Sequence, residues 1–324
     1  MNKYKAIEKI APKLTEMMID KIKNLQTGYK KPWVVGMKGG DLPSNIRGNA
    51  YSGMNLLILL IHCEQKQFKS RVFLTAKQAF DLGLTVPKNA TFPVLYYFKY
   101  VFDPVTHKSI KYEDYCKLSD DAKKSYRVLP QLRYYNVYNI DQTDCAEKLP
   151  EKYKELICVK ELENLSDGFS NPALDSLIEH EDWYCPIKTQ YSDKAFYSPG
   201  TDCITIPQKR QFPIGAEFYS TLLHEIAHST GHAERLKRNL FNFFGTPAYA
   251  REELVAELTA ALSGIFLGVS ATLQDHNAAY LKSWLGGLKQ QPEYLFQTLE
   301  DVTKAAKMIT ARVAQQPAGQ ADAA

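Results

Sequence analysis

The stretch that decides the reading of this chain is Phe218–His232, FYSTLLHEIAHSTGH. On an α-helix residues i and i+4 stack on one face, so His224 and His228 can reach one ion, while Glu225, one step round, points at whatever that ion holds. Leu222, Leu223, Ile226 and Ala227 make the helix half buried and put the histidines at the edge of a core. Gly231 is expected to end the helix, as a glycine just past the last turn does.

Two imidazoles leave a catalytic metal short of one protein ligand. Acidic residues in an otherwise apolar helix need partners, because burying a lone carboxylate is costly. The segment Ala250–Gly264, AREELVAELTAALSG, supplies Glu252, Glu253 and Glu257. Glu253 is taken as the third ligand and Glu257, one turn on, as the acceptor for a ligating imidazole, an assignment that can be reversed. Glu252 is expected to face solvent. His232 follows Gly231 and is read as a capping residue or a group behind the ligands. A His₂Glu set leaves one position open for water, so the cofactor expected is Zn²⁺ or another divalent transition metal, with Glu225 as general base. Tyr197, in the hairpin Ala195–Ile206, is read as part of an edge strand along which an extended substrate lies.

Working outward, the chain is long enough for two domains at 324 residues, and its charge divides unevenly. Residues 1–140 carry 23 basic and 11 acidic side chains, whereas 141–324 carry 17 and 25. A basic half fits a polyanion, since cationic side chains release counterions condensed on nucleic acid. No apolar run approaches the length needed to cross a bilayer, and the amino-terminal residues lack a secretory pattern, so a cytoplasmic protein is expected. Six cysteines without a CxxC spacing are read as free thiols. No carboxylate cluster accompanies the basic half, which argues against a two-metal nuclease.

Helical periodicity marks residues 4–26, and Met54–Cys63 is apolar all round, as a buried helix is. Pro93–Phe102 and Leu132–Ile140 are dense in aromatic and β-branched residues and read as neighbouring strands. Residues 141–175 read as a linker. Helices are expected near 215–230, 247–267, 275–288 and 293–312, and residues 313–324 as a disordered tail. The fold class is therefore α+β in two domains, 1–140 and 176–312.

The composite Ala195-Phe-Tyr-Ser-Pro, Asp202, Ile206-Pro207, Tyr219–His232, Arg235-Leu and Tyr249–Glu257 resembles the ArdC-type antirestriction proteins of plasmids and mobile elements. The first half matches too, through Lys31-Pro-Trp33, Pro43-Ser-Asn45, Gly48, Tyr51-Ser-Gly-Met-Asn55, Phe73-Leu-Thr75, Lys77-Gln-Ala79 and Tyr135–Asn139. It departs at Val86–Pro93, where relatives carry a Lys-Gly-Glu-x-Gly loop. The resemblance implies an amino-terminal domain that binds single-stranded DNA and a zincin-like metallopeptidase domain holding metal through His224, His228 and Glu253. Lys31, Trp33, Asn45, Arg47, Tyr51, Asn55 and Lys77 combine positive charge with aromatic and amide groups as single-strand binders do, and are the DNA-binding candidates. The partners implied are single-stranded DNA and an unknown protein or peptide, with no membrane. Two alternatives stay open: a non-enzymatic protein that protects DNA and uses metal only for its fold, and a DNA-triggered protease that cleaves a repressor or restriction subunit.

Overall fold

A computed structural model of the chain describes residues 7–27, 42–157, 170–212, 214–241, 246–269 and 293–315. Lys31, Trp33, the helix expected at 275–288 and most of the expected tail lie outside these residues.

The fold is α+β. Its first half begins with α1 (Ala11–Thr27), β1 (Ser44–Asn45), α2 (Gly53–Lys66), β2 (Val72–Leu74) and α3 (Ala76–Asp81). The long strands β3 (Phe92–Phe102) and β5 (Arg127–Asn139) follow, separated by β4 (Ser109–Ile110), α4 (Tyr112–Cys116) and α5 (Asp120–Lys123). The sheet order is β1-β2-β5-β3-β4, and β3 and β5 are antiparallel neighbours over their common length, as their composition predicts. α2 buries every residue from Leu56 to Cys63, so it has no solvent face and its apolar run is continuous. Each such Leu or Ile contributes about 1.5–3 kcal/mol by leaving water. The helix stops where Gln67 turns left-handed at φ 54°.

Residues 141–157 correct the expected linker. They fold into α6 (Cys145–Lys148) and α7 (Pro150–Leu156), which pack with Leu74, Ala79 and Ile140 in a small core of their own. Tyr153 donates to Asp141 at 2.9 Å, and Ser70 donates to the Leu156 carbonyl at 2.6 Å. Short helices that bury only one side show too little periodicity to stand out from a linker in sequence.

The second half consists of α8 (Pro172–Glu179), β6 (Ile187–Gln190), β7 (Phe196–Ser198), β8 (Cys203–Pro207), α9 (Gly215–Ser229), α10 (Pro247–Leu267) and α11 (Glu293–Ala314). The expected hairpin is β7–β8, and a strand not foreseen, β6, lies parallel to β8 on its other side, leaving β7 at an edge. Thr246 caps α10 by accepting the Tyr249 N–H, Pro247 opens the helix, and Gly268 at φ 69° closes it.

α10 has no solvent side over most of its length. Leu254, Val255 and Leu258 sit in the main core with α1, α2, β3, β5 and α11, while Ala256 and Ala260 belong to a second core built on α8, β8 and α9. The two halves thus share one interior. No helix among the described residues is long and apolar enough to cross a membrane.

Candidate metal centre

α9 is anchored at its first turns by Tyr219, fully buried, whose hydroxyl donates to Asp175 of α8 at 2.7 Å and accepts the Asn171 N–H at 2.9 Å. Two turns on, the imidazoles of His224 and His228 face each other with Nε2 atoms 3.1 Å apart. α10 crosses this face and brings in Glu253, whose carboxylate oxygens lie 3.6 Å from His224 Nε2 and 3.6 Å from His228 Nε2. One ligand atom from each of His224, His228 and Glu253 falls within 4.8 Å of the other two, close enough to share an ion.

The outer nitrogens of both rings also face carboxylates. His228 Nδ1 is 3.2 Å from Glu252 Oε1 and His224 Nδ1 is 3.5 Å from Glu257 Oε1. Glu252 accepts from His228 Nδ1 when that nitrogen carries the proton, whereas His224 Nδ1 makes no hydrogen bond. Two imidazole nitrogens and a carboxylate oxygen thus converge on one point, an arrangement that suits a cation. The donor set of two imidazoles and one carboxylate, with carboxylates behind both rings, suits a divalent ion of the zinc type.

The charges within the cluster follow the same logic. Burial opposes charge on His228, yet the carboxylates of Glu253 and Glu252 override it and hold its pKa well above the ordinary value. His224 moves up for the same reason, burial being outweighed by Glu253 and Glu257. Burial pushes Glu253 up, but the two imidazoles bring it far below the usual carboxylate range. Glu225 behaves oppositely: burial raises its pKa, and neither the imidazoles nor the Tyr197 backbone N–H facing it cancels that rise.

Glu252 corrects the expectation that it faces solvent, for it is 6% exposed. The guanidinium of Arg238, itself buried, grips it through Nε at 2.9 Å and Nη2 at 2.8 Å, and also donates to Thr230 Oγ1 and the Ala227 carbonyl. Burial would raise the Glu252 pKa, and Arg238 and His228 bring it below the ordinary value. Sequence reasoning missed Arg238, and the charge on a glutamate inside an all-apolar helix was the available signal that a cation had to reach it. Gly231 follows directly on the end of α9, as expected. Its φ is not in the left-handed region, and a Cβ there would stand 2.8 Å from Leu240 Cδ2 and 3.0 Å from Arg238 Nη2, both at the ends of long side chains.

His232 points away from this cluster in its contacts. Its Nδ1 accepts the Glu234 N–H at 3.2 Å and lies 4.0 Å from Asp202. Tyr197 sits on β7, where its hydroxyl donates to Asp202 at 2.7 Å and accepts from Arg235, which also pairs with Asp202 and donates to the Ser229 carbonyl at 2.6 Å. This knot ties the edge strand to the end of α9.

Among the described DNA-binding candidates, Asn45, Tyr51 and Asn55 have contacts within the fold. Asn45 accepts the N–H groups of Arg47 and Asn49 and shapes the turn after β1. Asn55 donates to the Leu95 carbonyl at 2.7 Å and accepts its N–H at 2.8 Å, satisfying the open edge of β3. Tyr51 is half buried, edge-on to Phe73. Arg47 and Lys77 are exposed.

Comparison with known proteins agrees with this architecture. Residues 8–138 match the family described as the N-terminal domain of anti-restriction factor ArdC, and residues 172–301 match the zincin-like metallopeptidase family. Two DNA primases TraC of Escherichia coli are 30% and 32% identical over 92% and 90% of this chain, which spans only 27% and 19% of their lengths. Crystal structures of the antirestriction ArdC protein from the R388 plasmid are 26% identical and superpose with TM-scores of 0.67 (metal-free) and 0.66 (Mn(II)-bound). Each covers 94% of this chain, and 98% and 99% of the ArdC chain respectively. With both halves matched in tandem and the whole of a solved ArdC chain overlaid, the protein belongs to the ArdC-type antirestriction family, an ArdC amino-terminal domain followed by a zincin-like metallopeptidase domain.

Proposed function

We propose that this chain is a cytoplasmic, metal-dependent peptidase that works at single-stranded DNA, with residues 1–140 holding the strand and 176–312 carrying the hydrolytic centre. The observation that carries the reading is the convergence of His224 Nε2, His228 Nε2 and the Glu253 carboxylate on one point. His224, His228 and Glu253 would hold the ion, with Glu257 and Arg238-bound Glu252 fixing the two imidazoles. When bound, a divalent ion such as Zn²⁺ or Mn²⁺ supplies Lewis acidity towards a carbonyl oxygen and a water.

The remaining steps belong to this chain's own side chains. Glu225 takes a proton from the attacking water and returns it to the leaving amine. β7, an edge strand, offers backbone groups to an extended peptide. The Tyr197 N–H faces Glu225, so a peptide laid beside β7 passes the base. The relatives' names, DNA primase and antirestriction protein, both concern DNA, and the basic first half is what this chain would bring to it.

The test compares wild type with Glu225→Gln for metal content and for cleavage of an unfolded protein substrate, with and without a DNA oligonucleotide. Retained metal with cleavage lost supports the reading. Cleavage undiminished in Glu225→Gln, or no metal uptake by the wild type, refutes it.

A further inference from the structure

The β3–β5 ribbon has a face that the proposed reading does not use. Directly paired residues of antiparallel strands share a side and alternate residues share a side. Tyr96 pairs with Arg133, Val94 with Tyr135 and Phe98 with Gln131, so Tyr96, Phe98, Tyr100, Arg133 and Tyr135 stand on one face. They touch in sequence along it. Tyr96 lies against Tyr135 with centroids 6.0 Å apart, the Arg133 guanidinium sits 3.7 Å over the Phe98 ring, and Tyr100 stacks on Phe102 at 5.5 Å. Tyr96 and Tyr135 are each 40% exposed, and the rings beyond them are half buried. On the opposite side of the same stretch, Tyr97 bonds Glu300 of α11 and Lys99 meets Tyr112 of α4.

The row from residue 96 to residue 100 runs about 14 Å. Aromatic faces this extensive are covered by packing unless something binds them. Two features name the occupant. Aromatic rings interleaved with a guanidinium match alternating bases and phosphates, and the exposed Arg127 opposite Phe102 extends the positive charge along the ribbon. The first half also carries an excess of 12 positive charges, which suits a polyanion and opposes a basic peptide.

We infer that a single strand of nucleic acid lies along this face, its bases stacked on Tyr135, Tyr96 and the Tyr100 side of the ribbon and its phosphates met by Arg133. The inference rests on the reading that the first half holds single-stranded DNA and says where it does so.

The test uses the full chain and fluorescence anisotropy with a labelled oligo-dT strand at several salt concentrations. Tyr96→Ala and Tyr135→Ala should each weaken binding about tenfold or more with the salt slope unchanged, and Tyr96→Phe should restore it, because the ring does the stacking. Arg133→Gln should weaken binding and lower the slope of log K against log salt by about 0.7. Wild-type affinity in all of these variants, or a loss in Tyr96→Ala that Tyr96→Phe does not restore, overturns the placement while DNA binding itself stands. No binding by the wild type overturns both.

Discussion

Replacing Arg238 by Met tests whether His228 is held from behind. The guanidinium is nearly inaccessible and makes two bonds to Glu252, one to Thr230 and one to a backbone carbonyl. Removing it leaves the Glu252 carboxylate buried with only His228 for company. Breaking a buried pair by deleting one partner costs about 3–5 kcal/mol, a large part of the ~5–15 kcal/mol by which a domain is stable. Urea unfolding of metal-free Arg238→Met should show that loss. The ring of His228 should also lose its fixed orientation, lowering affinity for Zn²⁺ or Mn²⁺ about 10–100-fold in a competition titration against a chelator. Adding Glu252→Gln removes the stranded charge and keeps an acceptor for His228 Nδ1, so the double variant should recover about 1–3 kcal/mol of what the single variants together lose. Arg238→Met with wild-type metal affinity and stability within about 1 kcal/mol of wild type would refute the argument.

Other outcomes follow from the same geometry. Glu225→Gln should keep its metal while turnover falls by about 10²–10⁴, measured as cleavage rate at saturating metal. Glu253→Gln should weaken metal binding more than Glu257→Gln, whose loss should stay within about 10–100-fold; the opposite order in a chelator titration would exchange their roles. His62 supplies a pH test far from the centre. Burial, with Lys13 and Lys66 adding to it, lowers its pKa from 6.5 to about 4, and its ring stacks on Phe92 at 3.9 Å. The folded state therefore binds fewer protons here than the unfolded one, and stability should fall as pH drops from about 6.5 to about 4, by about 3 kcal/mol in all. His62→Phe should flatten that acid limb in urea titrations, and an unaltered limb would count against it.

What could be read from the chain alone was local. His224, Glu225 and His228 lie within a single helical turn, and Met54–Cys63 announces a buried helix by having no polar side. The long strands declare themselves by aromatic and β-branched content. Contacts joining distant segments stayed hidden. Glu252 looked like a solvent residue because helices usually have a wet side, and α10 has almost none: Glu252, Glu253 and Glu257 each sit against a histidine of α9. Arg238 lies between the two helices in sequence, with no periodic signal to single it out. β6 is four residues with only Ile187 apolar, and it becomes a strand because β8 offers it an edge.

Because α10 gives one flank to the core of the first half and the other to α9 and the ion ligands, the protein cannot be divided at its charge boundary into two working fragments. A piece ending near residue 140 would leave Leu56–Ile61 without the leucines of α10 and α11 and should aggregate. Whatever factor a nucleic acid on one half imposes on the hold on metal at the other, metal must by thermodynamic reciprocity impose on the hold on nucleic acid.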